Sequence, residues 1–225
     1  MSGPGPIVIV GSGGHGRGIL EILRAAAEAG GFPCTVVGFL DDDPSRRDAE
    51  PAGLKVYGSV RVAGDFIREG HRFLIGVGEP KARREVALRL AELGAVFAIA
   101  VHPRATLYGG ITISPGAVVG AGATIAASTR LGEHTLVNLN ATVGHDCVLE
   151  PFATVGPGAN VGGNVRLGEA AFVGMNGSVL PGRSIGAEGQ LGAGSVLLED
   201  LEAGAIAFGV PARIVGRVGK KDAAV

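Results

Sequence analysis

The sequence predicts a two-part chain, a small α/β unit followed by a parallel β-solenoid of triangular coils, and three observations predict it. An aliphatic residue recurs every six positions from Val101 to Leu197 without a slip. Glycine makes up 40 of the 225 residues, against a usual share of roughly 7%. A strand, a glycine-rich turn and a helical pattern open the chain over residues 7–23. The glycines do not recur every third residue, which excludes collagen, and 46% hydrophobic residues with a mean hydropathy of +0.36 exclude simple disorder. Aromatic residues are only 4%, so the core must be built from Val, Leu, Ile and Ala.

The first unit, expected over residues 1–100, begins with the strand Ile7-Val8-Ile9-Val10 and the turn Gly11-Ser12-Gly13-Gly14-His15-Gly16. Apolar residues at Ile19, Leu20 and Leu23 then mark a helix. The spacing G-x-G-x-x-G turns the backbone sharply and offers amide N–H groups at a helix N-terminus, where an anionic ligand is favoured. A second strand, Thr35 to Leu40, ends in Asp41-Asp42-Asp43, carboxylates placed to accept hydrogen bonds from a ribose or a base. A third strand near Phe73 to Val77 leads through Gly78 into a helix around Lys81 to Leu93, and Val96 to Ala100 runs on to the repeat. About 100 residues suffice for one mononucleotide-binding half, not for the two halves that hold NAD. This is a Rossmann-like unit for a single nucleotide.

The solenoid is expected over residues 101–203. All seventeen first places of its hexads are Val, Leu or Ile, and the next place is Gly in nine of them. The fifth place is mostly small. Pro103, Pro115, Pro151, Pro157 and Pro181 all fall at the third place, which must be a corner outside the hydrogen-bonded ladder. A strict period of six is not helical, whereas short strands joined by tight corners satisfy it. Three hexads close a coil of 18 residues, and coils stack about 4.8 Å apart. Residues 204–225 remain as a cap and tail, with Arg213, Arg217, Lys220 and Lys221 forming a basic cluster that faces either an anionic ligand or solvent.

Twenty Lys and Arg against 21 Asp and Glu give a net charge of −1, without the basic footprint of a nucleic-acid-binding protein. Cys34 and Cys147 fall in different units with no metal-type spacing, which fits a reducing, cytoplasmic setting. No basic leader precedes a short apolar run, and no stretch approaches the roughly 20 apolar residues of a membrane span. A zinc site of the kind some β-helices carry needs three converging histidines. His102, His134 and His145 include no pair separated by a multiple of 18, so no metal is expected.

The hexads resemble the hexapeptide-repeat family, which implies a left-handed parallel β-helix and, in its best-known members, acyl transfer. The combination of Gly11-Ser12-Gly13-Gly14-His15-Gly16, Leu40-Asp41-Asp42 and the long repeat is similar to the bacterial sugar acetyltransferases of surface-glycan biosynthesis. These include N-acetyltransferases for UDP- or GDP-linked 4-amino-4,6-dideoxy sugars and sialic acid O-acetyltransferases. The stretch from Asn138 to Cys147, the segment Gly163-Asn164-Val165, and Gly209-Val210-Pro211-Ala212-Arg213 carry the likeness through the second half.

Acyl transfer to a sugar amine calls for a base, and imidazole titrates near neutrality. His145 stands at a corner place where side chains point outward, and Asp146 beside it can fix its tautomer. The resemblance implies that these two are catalytic, with Asp146 where the nucleotide-amino-sugar members have Glu. Stacking by 18 places Gly162 and Gly163 against Gly144 and His145. Gly163 offers either a backbone N–H to the thioester oxygen or a corner that needs φ > 0, as the glycines of other hexads do. The resemblance further implies acetyl-CoA contacts at Gly163, Met175 and Ala193, with Thr154 where some relatives have a second histidine. It implies nucleotide-sugar contacts at Gly13, Gly14, His15, Asp41, Asp42 and Gly78, Asn138 near the catalytic corner, and a homotrimer. Sialic acid O-acetylation, a longer acyl group and a non-catalytic nucleotide-binding solenoid are the alternatives, and the nucleotide is left open among UDP, GDP and CMP.

Overall fold

A computed structural model describes residues 5–30 and 35–219, which divide into two compact units between Pro103 and Arg104. Cys34, Lys220 and Lys221 lie outside the described residues.

In the first unit, four parallel strands stand in the order β2-β1-β3-β4: β1 (Ile7–Val10), β2 (Val36–Leu40), β3 (Arg72–Ile75) and β4 (Val96–Phe97). The central position of β1 explains its continuous apolar run, since all four residues are buried. Helices α1 (Gly14–Glu28), α2 (Ala63–Arg68) and α3 (Pro80–Glu92) complete the unit. The core gathers Ile9, Ile19, Leu20, Phe39, Phe73, Leu74 and Leu90. Helix α2 carries no strong sequence signal, being six residues long with one buried side chain.

In the second unit each hexad contributes a two-residue strand made of its sixth and first places, such as Thr142–Val143 and Val148–Leu149. Successive coils pair in parallel with a shift of 18, as in Leu136↔Thr154, Thr142↔Asn160 and Val148↔Arg166. The strands form three faces. Thr112–Ile113 begins one, Val118–Val119 belongs to the second and Thr124–Ile125 continues the third. Fourteen of the seventeen first-place aliphatics are buried; Leu107 and Ile113 are more open because no coil precedes theirs. Burial of one such side chain contributes on the order of 1.5–3 kcal/mol. Past the last coil, Ala205–Gly209 continues the second face and pairs antiparallel with Ala212–Arg217, a hairpin that the hexad rule does not predict.

The turns correct one expectation. The prolines do lie at turn positions, but the left-handed backbone belongs to the fourth place, where Ser128, His134, Asn140, Asp146 and Phe152 all have φ between 53° and 64°. Glycines at the second place, and Gly163, do not have positive φ. Their reason is contact between coils: a Cβ on Gly144 would lie 2.4 Å from the Gly163 nitrogen. The sequence period could not separate these two causes, because glycine serves both.

Candidate active site

At the start of α1 the three fingerprint glycines have distinct physical roles. Gly11 turns the chain at φ 99°, and Gly16 packs so closely that a Cβ would come within 1.8 Å of the Gly11 oxygen. Gly13 caps the helix without a side-chain hydrogen bond, and the first turn holds no acidic residue. Gly13 and Gly14 therefore expose their backbone to an adjoining cavity of about 370 Å³, lined also by Ser12, Arg17 and Arg46. A helix N-terminus beside two guanidinium groups is suited to phosphate oxygens. Arg17 and Arg46 are absent from the expected set, because only the fold brings Arg46 to the helix end.

Asp41 supports this cradle from behind. Its carboxylate accepts the Ser12 amide at 2.8 Å and the Ser12 hydroxyl at 2.6 Å, with Arg46 at 3.6 Å. Burial acts to raise its pKa, but the Ser12 bonds, the Asp43 amide and Arg46 hold it below the ordinary carboxylate value. Asp42 accepts from the Val60 amide at 2.9 Å and from Arg89 at 2.8 Å; these bonds overcome its burial and also keep it low. His15 is pushed down to about 4, first by burial and then by the positive charge of Arg83. Buried Arg83 donates to the carbonyls of Val77 and Gly78 at 3.1 and 2.9 Å, while a Cβ at Gly78 would meet nothing within 4 Å among the described residues.

In the second unit, His145 occupies the third place of its hexad. Its Nδ1 lies 2.7 Å from the Asp146 carboxylate, whose residue turns the corner at φ 55°. The imidazole lies over the next coil, where a Cβ on Gly163 would come within 2.6 Å of Nε2. Only glycine lets the ring take this place. Among the described residues no hydrogen bond takes up the Gly163 N–H.

Met175 and Ala193 stack with Pro157 at a different corner of the coil, and Asn138 begins that same corner two coils below Met175's neighbour Gly174, with Gly156 between them. The Asn138 side chain accepts the Leu139 amide at 2.8 Å. Met175 and Ala193 border an apolar cavity of about 340 Å³ completed by Phe172, Gln190, Gly192 and Phe208. Phe208 packs on Gly192, where a Cβ would come within 2.1 Å of the ring. An aromatic at the outward sixth place, Phe172, was the available sequence signal for this groove. Thr154 lies buried between Leu136 and Phe172 on the same face. One chain thus brings His145, Asp146 and Gly163 together, and separately Met175 with Ala193.

Residues 6–90 match the PglD N-terminal domain family. A perosamine N-acetyltransferase mutant from Caulobacter crescentus, solved with CoA and GDP-perosamine, is 33% identical, with 94% of this chain and 97% of that one covered and a TM-score of 0.87. The chain belongs to the hexapeptide-repeat sugar acetyltransferases. The acetyltransferase domain of PglB from Neisseria gonorrhoeae, solved with acetyl coenzyme A, is 29% identical over 95% of this chain and all of that domain, at a TM-score of 0.85. WeeI from Acinetobacter baumannii shares the fold at 21% identity, covering 93% of this chain and 99% of its own, with a TM-score of 0.82. Among curated protein sequences none is a significant match. As in other hexapeptide-repeat acetyltransferases, the solenoid is a left-handed β-helix. Among the described residues no helix is long and apolar enough to cross a membrane, and no cluster of three metal-ligating side chains occurs.

Proposed function

We propose that this acetyltransferase passes the acetyl group of acetyl-CoA to the amine of a nucleotide-linked amino sugar, with His145 as general base. The observation that carries the reading is the His145–Asp146 pair at 2.7 Å, with the imidazole seated on Gly163. With Nδ1–H donated to Asp146, Nε2 carries the lone pair. As the sugar nitrogen attacks the thioester carbon, Nε2 takes its proton and the carbonyl electrons move onto oxygen. The Gly163 N–H is the donor to that oxyanion. Collapse breaks the C–S bond, and the imidazolium returns the proton to the departing thiolate. Asp146 stabilises the imidazolium without becoming protonated.

In the α/β unit, the cavity at the start of α1 holds the diphosphate of a UDP- or GDP-linked 4-amino-4,6-dideoxy sugar, through the Gly13 and Gly14 amides, Arg17 and Arg46. Asp41 acts by orienting Ser12; His15, Asp42 and Gly78 complete the nucleotide side. The apolar groove at Met175 and Ala193 takes the pantetheine arm. These residues stand at a corner other than that of His145, and His145 is 61% exposed in a single chain. Both facts support a homotrimer in which a neighbouring solenoid covers each catalytic corner, with Thr154 serving the acyl side and Asn138 the acceptor sugar. The product would enter surface-glycan assembly in the cytoplasm.

The test is thiol release from acetyl-CoA across a panel of nucleotide amino sugars, with His145→Ala beside the wild type. The variant is expected to lose about 10²–10⁴-fold in kcat while still binding acetyl-CoA. Asp146→Asn should lose less. Wild-type kcat in His145→Ala from pH 6 to 9, about the range over which imidazole titrates, would refute the base, and a monomer mass with full activity would refute the shared site.

A further inference from the structure

The turn at the catalytic corner is closed differently from those at the other two. Elsewhere in the solenoid the fifth-place N–H bonds back to the second-place carbonyl of its own hexad, as in Ala141 to Asn138, Ala153 to Glu150 and Ala159 to Gly156. Among the described residues no such bond forms at the His145 corner. Two buried side chains act there instead. The Thr129 hydroxyl donates to the Gly144 carbonyl one coil on, at 2.8 Å, and the Cys147 thiol donates to the Gly162 carbonyl, again one coil on, at 3.1 Å. Both residues have no exposed surface. The Cys147 amide, in turn, donates to the Thr129 hydroxyl at 3.3 Å. Burial pushes the Cys147 thiol pKa up, which keeps its proton available for donation.

Those two carbonyls belong to particular peptide groups. The Gly144 carbonyl shares a peptide plane with the His145 nitrogen, and the Gly162 carbonyl shares one with the Gly163 nitrogen. A planar trans peptide directs its N–H opposite to its C=O. A carbonyl held inward therefore directs the Gly163 N–H outward, and a hydrogen bond on the carbonyl strengthens the N–H as a donor. At the fifth place of this corner the series runs Ile111, Thr129, Cys147, Val165, Arg183, and the two buried polar side chains occur on the two coils that reach these peptides, Arg183 being exposed.

We propose that Thr129 and Cys147 are positioning residues, Thr129 fixing the peptide that carries His145 and Cys147 fixing the peptide that presents the Gly163 N–H. This rests on the reading of His145 as base and Gly163 as oxyanion donor. At this same corner the fifth place is also filled by the apolar Ile111 and Val165, so a polar side chain is not needed there to close a coil.

The experiment measures kcat, both KM values and thermal melting for Thr129→Val, Thr129→Ser, Cys147→Ala and Cys147→Ser. Thr135→Val is the control, since buried Thr135 donates to the Gly132 carbonyl at 3.0 Å at a different corner. Thr129→Val and Cys147→Ala are expected to lower kcat about 3- to 10-fold with KM values held, as loss of one neutral hydrogen bond implies. The serine variants should restore most of the rate. Thr135→Val should lower only the melting temperature. Wild-type kcat in both Thr129→Val and Cys147→Ala, beside a disabled His145→Ala, overturns the positioning role alone, as does an equal loss of kcat in Thr135→Val. Full activity in His145→Ala removes the underlying reading and the positioning role with it. If Cys147→Ala does not fold, Thr129→Val and its serine rescue decide.

Discussion

The two units use glycine and side-chain volume in opposite ways. In the α/β unit, large residues such as Phe39 and Phe73 meet around one central strand, and close-packed glycines serve separate junctions: Gly11, Gly16 and Gly76 interlock, while Gly38 lies against Lys55 and Tyr57. In the solenoid the axis is lined by Val, Leu and Ile, and a second-place glycine pressed against the next coil recurs in nine of the seventeen hexads. Close packing met at individual junctions in the first unit is repeated at one register position in the second. The difference explains why the His145 corner can be both rigid and exposed: neighbouring coils, not a surrounding core, hold Gly163 beneath His145.

The largest expected effect tests the coil-on-coil core. Val155 is fully buried, so Val155→Asp places an unpaired charge at the narrow axis. The expected cost is about 4 kcal/mol or more, enough to leave no folded solenoid. Circular dichroism showing a native spectrum and a melt near that of the wild type would contradict the stacking account.

Between pH 7 and pH 4.5, above the range where Asp41 and Asp42 are mostly protonated, the α/β unit should respond to acid mainly through one residue. His15 has a folded pKa of about 4 against 6.5 unfolded, so the unfolded chain binds the proton more readily in that window. Above pH 6.5 both states are neutral and the stability is complete; it falls as the pH drops toward 4, by about 3 kcal/mol in all. His15→Gln should remove that dependence. Parallel urea-denaturation curves for wild type and variant between pH 7 and pH 4.5 would show that His15 is not the group responsible.

The same contrast decides what could be read from the sequence. The solenoid register was legible because position modulo 18 is geometry: it stacked Gly163 on His145 and placed the prolines at turns. The same period separates Gly163 from Met175 and Ala193, which do not lie at multiples of 18 residues from it; the resemblance grouped all three, and the fold puts them at separate corners. What the period cannot show is that Asp41 engages Ser12, that Asp42 engages Val60 and Arg89, or that Arg46 reaches the start of α1, since these depend on contacts between distant segments. Thr129 and Cys147 looked like ordinary small fifth-place residues; their side-chain bonds to the Gly144 and Gly162 carbonyls set them apart.

A smaller effect sharpens the contrast within the repeat. At Gly168 a Cβ would lie 2.5 Å from the Ala187 nitrogen on the next coil, a backbone atom that cannot swing aside. Gly168→Ala should cost about 1–3 kcal/mol through overpacking. An unchanged urea midpoint would mean that coil spacing adjusts more freely than the register implies.

The smallest effect has the opposite sign. Gly18 lies on the exposed side of α1, and a Cβ there meets no atom within 4 Å among the described residues beyond its own helix. Its backbone is helical, so alanine requires no new conformation. Glycine in that setting only enlarges the freedom of the unfolded chain. Gly18→Ala should therefore stabilise the protein by about 0.5–1 kcal/mol. The substitution that breaks a coil contact at Gly168 should thus raise the urea midpoint at Gly18. A lowered midpoint for Gly18→Ala would show that the helix face is packed in a way its open geometry does not reveal, and the distinction between individually placed and periodic glycines would fail at that position.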